Sequence, residues 1–120
     1  MEEQIKRFDR GLKSQNVSLT DQALLMYSSG TTGNPKGILL THSNIFYEAY
    51  GMAKHYAFDE TTVYLLNLPL FFSGGVFPSF FSPLLNGGSF VLARRFSKSR
   101  FWDVMSRYKV TNTYCVPTML

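Results

Sequence analysis

Short apolar runs alternate with stretches whose apolar residues recur every three or four positions, and this alternation restricts the fold more than any other feature. Residues 23–27 (Ala-Leu-Leu-Met-Tyr) form a continuous apolar run bounded by turn signals, the pattern of a strand buried on both faces. Residues 38–40, 63–66, 90–92 and 113–116 read as further short strands. Ile45, Ala49, Met52, Ala53 and Tyr56 share one face of a helix expected over about residues 43–56. Val76/Phe77, Phe80/Phe81 and Leu84/Leu85 recur every four residues, as on a largely buried helix. Pro78 fits the first turn of that helix, whereas Pro83 is expected to end or kink it. Ser97 is placed to cap a last helix, on which Phe101, Val104, Met105 and Tyr108 fall on one side. Strands alternating with helices predict an α/β fold with a mostly parallel sheet covered on both faces.

The 120 residues suffice for one small domain with a core, and 45% hydrophobic against 17% charged residues excludes a disordered chain. A charged helix and polar loop are expected over residues 1–20, and the domain proper over 21–120. The net charge of +4 gathers at Arg94, Arg95, Lys98, Arg100, Arg107 and Lys109. No nucleic-acid motif accompanies these residues, so they read as a solvated helix face. Cys115 is the single cysteine, which rules out an internal disulfide; no Cys/His metal spacing is present. A reducing, cytoplasmic compartment fits, with peripheral membrane attachment of a longer parent left open. The N-terminal segment has no apolar signal core, and Gly and Pro interrupt the Phe- and Leu-rich stretch 68–93, so no transmembrane segment is expected.

Chemistry concentrates in residues 27–37, Tyr-Ser-Ser-Gly-Thr-Thr-Gly-Asn-Pro-Lys-Gly. Gly30, Gly33 and Gly37 allow tight turns and close approach of backbone amides to a ligand. Ser28, Ser29, Thr31 and Thr32 add hydroxyls, and Lys36 adds a mobile positive charge. Successive amides in such a turn form an anion-binding nest suited to a polyphosphate. The pattern is not a Walker A loop: Pro35 precedes the lysine, Gly37 follows it, and a strand comes next. His42, His55 and Trp102 read as ordinary structural residues, and Cys115 as a buried strand residue.

This segment closely resembles the phosphate-binding signature of the adenylate-forming superfamily, the AMP-dependent synthetases and ligases, and matches it throughout. Residues 41–44, 68–75 and 110–120 resemble that family's later segments at consistent spacing. The resemblance implies the large N-terminal domain of an acyl-CoA synthetase-like ligase. ATP and Mg²⁺ would be used to make an acyl-adenylate, and coenzyme A would accept the acyl group. It implies that Ser28, Ser29, Gly30, Thr31, Thr32, Gly33, Lys36 and Gly37 grip the ATP phosphates, with Thr32 also a candidate beside the metal. It places Phe72 and Gly74 at the acyl pocket or its gate. Many acyl-CoA synthetases carry histidine where this chain has Phe72, and an apolar gate leads to the expectation of a hydrophobic carboxylate such as a medium- or long-chain fatty acid. The family's adenine and ribose contacts and its C-terminal catalytic lysine have no counterpart among the 120 residues. The chain is therefore expected to be part of a larger enzyme, inactive by itself and needing the C-terminal region. The alternative is a non-catalytic nucleotide- or phosphate-binding module that retains the loop.

Overall fold

A computed structural model describes residues 16–30 and 33–119. The expected N-terminal helix falls largely outside these residues, as do Thr31, Thr32 and Leu120.

Two sheets organise the chain. Strands β1 (Gln22–Ser28) and β2 (Lys36–Thr41) form an antiparallel hairpin. Strands β3 (Val63–Leu66), β4 (Ser89–Leu92) and β5 (Asn112–Thr113) form a parallel sheet in the order β4-β3-β5. The parallel expectation thus holds for the second sheet and not for the hairpin. The loop between β1 and β2 is too short for the crossover that parallel neighbours need, so the chain can only fold back on itself. The expected burial of residues 23–27 on both faces is likewise not met: Leu25 is exposed and Tyr27 is 70% exposed. A two-stranded ribbon beside the main sheet has no layer on each side among the described residues.

Helix α1 (His42–His55) starts directly from β2. Thr41 caps it: the Asn44 amide donates to Thr41 Oγ1 at 3.3 Å, and the Thr41 amide donates to Asn44 Oδ1 at 3.0 Å. This reciprocal pair satisfies two otherwise free amides. Ala49 and Ala53 are buried on its inner face, while Tyr56, expected on that face, is the exposed C-cap. Ala53, Phe58 and Tyr64 form the core cluster, with Phe90 packed against it; the Phe58 and Tyr64 rings meet edge-on at 5.6 Å.

The second predicted helix is present, but in three registers. α2 (Ser73–Val76) passes into a π-helical turn (Phe77–Phe81) and then into α3 (Ser82–Leu85). Pro83 does not end it: the wider turn places this proline in the first turn of α3, where its missing amide costs little. Leu84 and Leu85 are exposed rather than buried; the buried residues of this stretch include Ser79, Ser82 and Pro83. The last helix, α4, covers Phe101–Arg107 behind a 3₁₀ turn at Lys98–Arg100. Ser97 precedes that turn without a side-chain cap bond. β5 covers only Asn112–Thr113, so Tyr114, Cys115 and Val116, expected in the strand, lie beyond it, and a 3₁₀ turn follows at Pro117–Met119. Trp102 does not pack as expected: it is 73% exposed, touching the Phe101 ring edge-on.

Candidate active site

The described residues of the candidate phosphate loop lie at the turn end of the hairpin. Ser28 pairs with Lys36 and Tyr27 with Gly37 as the last rungs of the ladder. Loop closure therefore fixes where the lysine emerges. Gly30 has φ +53° and Gly33 φ +90°, both in the left-handed region. The Gly33 amide donates to the Gly30 carbonyl at 3.4 Å. A Cβ on Gly30 would collide with the Asn34 carbonyl, so the turn admits only glycine at that position. Ser28 is half-buried, whereas Ser29 and Lys36 are exposed and free to meet a ligand.

Two backbone hydrogen bonds tie the segment at the start of β1 to the first turn of α1. The His42 amide donates to the Asp21 carbonyl at 3.1 Å and the Ser43 amide to the Leu19 carbonyl at 2.8 Å. His42 itself is exposed, and its resolved contact is through the backbone.

A second group forms where the chain leaves β3. Phe72 is the residue before α2, extended at φ −102° and ψ 136°. Its carbonyl accepts the Gly75 and Val76 amides at 2.9 and 3.1 Å, which anchors the backbone while the ring stays 45% exposed. Gly74 is buried beneath it. A Cβ there would lie 3.1 Å from Phe72 Cε1, 3.2 Å from Tyr114 Cε1 and 3.3 Å from Leu68 Cδ1. The bare glycine thus lets two aromatic rings and a leucine converge from the ends of β3 and β5. Tyr114 and Leu68 join the predicted pair Phe72 and Gly74 through tertiary structure; only their positions just beyond strand ends hinted at it. Cys115 is half-buried on a smaller cavity of about 150 Å³, with Phe96, Phe101 and Met119.

The described residues contain no group of three or more His, Cys, Asp or Glu side chains arranged to hold a metal ion. No described helix is long and apolar enough to cross a membrane.

The chain is 40% identical over 98 residues to the sulfoacetate–CoA ligase of Cupriavidus necator, covering 82% of this chain and 19% of that protein. It is 34% identical over 104 residues to a crotonobetaine/carnitine–CoA ligase of Salmonella paratyphi C, covering 87% and 20%. Its fold superposes with a TM-score of 0.79 on O-succinylbenzoate coenzyme A synthetase from Bacillus subtilis in complex with AMP, at 36% identity, covering 86% of this chain and 21% of that one. The TM-score is 0.82 against apo MatB from Rhodopseudomonas palustris, at 26% identity and with 91% and 21% covered. The chain thus spans about a fifth of the length of these relatives. The AMP-binding enzyme family model matches residues 2–120, and the chain belongs to that family.

Proposed function

We propose that this chain supplies the ATP phosphate grip and one wall of the acyl pocket in a ligase that converts a carboxylic acid to its coenzyme A thioester. The observation that carries this reading is the turn end of the hairpin. Ser28 and Lys36 face each other across the last rung, with two left-handed glycines between them. That arrangement presents amides, hydroxyls and one cation to a polyanion, without relying on a helix dipole.

In the reaction, the carboxylate attacks the α-phosphorus of ATP, the bond to the bridging oxygen breaks, and pyrophosphate departs with the developing charge. The loop holds that charge through amides, the Ser28, Ser29, Thr31 and Thr32 hydroxyls, and Lys36. The thiol of coenzyme A then displaces AMP from the acyl carbon. Mg²⁺ would arrive with ATP. Support for these ligands comes from a relative solved in complex with ATP and magnesium ion. Phe72, Leu68 and Tyr114 around Gly74 favour an acid with an apolar body, since they offer that body two rings and a methyl group.

The test uses a full-length parent carrying this segment. Lys36→Ala and Thr31→Ala should each slow ATP–pyrophosphate exchange by about 10²–10³-fold, with a much smaller effect on carboxylate affinity. Parental exchange rates in both variants would remove the loop from the phosphate site.

A further inference from the structure

The turn that carries Phe72 is pinned on both sides of that residue. The Phe72 amide donates to the Pro69 carbonyl at 3.1 Å, and the Phe72 carbonyl accepts the Gly75 and Val76 amides. A Cβ on Gly75 would collide with the Pro69 carbonyl, so the backbone here is packed too closely to shift as a unit. The Phe72 ring therefore moves only by rotation about its own side-chain bonds, between staggered wells.

The obstacle to that rotation lies over Gly74. The Cβ position that Gly74 leaves empty is 3.1 Å from Phe72 Cε1 and 3.2 Å from Tyr114 Cε1, so the two ring edges border one small space. Tyr114 is held there from β5. Thr113, the residue before it, pairs with Leu65 in the last rung between β3 and β5, and its Oγ1 donates to the Leu65 carbonyl at 3.1 Å. Leu68, the third neighbour of that space, is only 5% exposed and fixed in the interior. Tyr114 is 40% exposed, so the domain can lose its ring without emptying the core. Its loss would open room beside Gly74 for the Phe72 ring to turn into.

We propose that Tyr114 is a positioning residue of the acyl pocket. Beyond the apolar surface it offers, it stops the Phe72 ring from turning over Gly74 and so limits the size of the acid that the pocket admits. The proposal rests on the reading of Phe72 as part of the acyl wall.

The experiment uses a full-length parent carrying this segment, assayed for kcat/KM over straight-chain acids of increasing length. Tyr114→Ala should raise the ratio of the long-chain to the short-chain value at least about tenfold, the scale of one methylene in an apolar pocket. The KM for ATP should not change. Tyr114→Leu, which keeps a bulky apolar side chain should the alanine variant not fold, should move the ratio in the same direction. Tyr114→Phe should keep the parental ranking, because the contact over Gly74 is made by Cε1 and not by the hydroxyl. In a Phe72→Ala background no ring remains to be stopped, and Tyr114→Ala should then change the ratio by less than about threefold.

A uniform loss of kcat/KM across the series in the alanine and leucine variants would mark Tyr114 as packing alone and overturn the proposal. So would an altered ranking in Tyr114→Phe, which would assign the effect to the hydroxyl. An undiminished shift in the Phe72→Ala background would overturn it too, because the acid would then meet Tyr114 directly. If Phe72→Ala by itself leaves the ranking intact, the acyl-wall reading falls and the proposal with it. If Phe72→Ala changes the ranking and the Tyr114 variants do not, the proposal alone falls.

Discussion

Ser79 Oγ donates to the Gly74 carbonyl at 2.7 Å, serving the acceptor to which Pro78, one residue earlier, has no amide to offer at α-helical spacing. Ser82 Oγ makes a similar bond to the Phe77 carbonyl at 2.8 Å, but that carbonyl also accepts the Ser82 amide. The pair explains how a sequence with two prolines in six residues stays helical beneath α1. It also ties Gly74, under the Phe72 ring, to the buried side of the π-helical turn.

Ser79→Ala should therefore cost about 1–3 kcal/mol, because it leaves a buried acceptor unpaired. Ser82→Ala should cost less, because its acceptor keeps a backbone donor. Urea unfolding of the two variants measures the difference. Equal losses would show that the hydroxyl at Ser79 does not stand in for the missing proline amide.

Phe72→His in a full-length parent should change the ranking of acyl substrates by kcat/KM and leave the KM for ATP nearly unchanged. Gly74→Ala should disturb the same ranking, since its methyl group would press on Phe72, Tyr114 and Leu68 at 3.1–3.3 Å. The measurement is a series of acids of increasing chain length. An unchanged ranking in both variants would assign Phe72 to packing alone.

Burial pushes the Tyr64 hydroxyl up to about 12 from an ordinary value of 10.0. The folded state thus holds the proton more tightly than the unfolded chain. This stabilisation is complete below pH 10 and is lost as pH rises through about 12. It amounts to roughly 2 kcal/mol. Tyr64→Phe should flatten the fall in stability over that window, read from urea midpoints at stepped pH. Parallel curves for the two proteins would mean that Tyr64 ionises as freely in the folded state as in the unfolded chain.

The sequence by itself determined most of the local elements. The run Val63–Leu66 was legible as β3 to the residue, because a short apolar stretch between turn signals has few other uses. The helix at His42–His55 was legible from its three- and four-residue spacing, and the turn between β1 and β2 from its glycines. Tertiary structure decided what lies beside what. It set β1 and β2 apart as a hairpin with Leu25 and Tyr27 exposed, although the apolar run alone reads as a buried strand. It carried the helix past Pro83 by widening one turn, a solution that depends on hydroxyls reaching carbonyls five residues back. It brought Tyr114 to Phe72 across Gly74, and it set Asn67 on the same cleft as Arg94, Arg95 and Arg100. Periodicity reports which face of an element is apolar. It does not report which neighbour covers that face, because that depends on contacts between residues far apart in the chain.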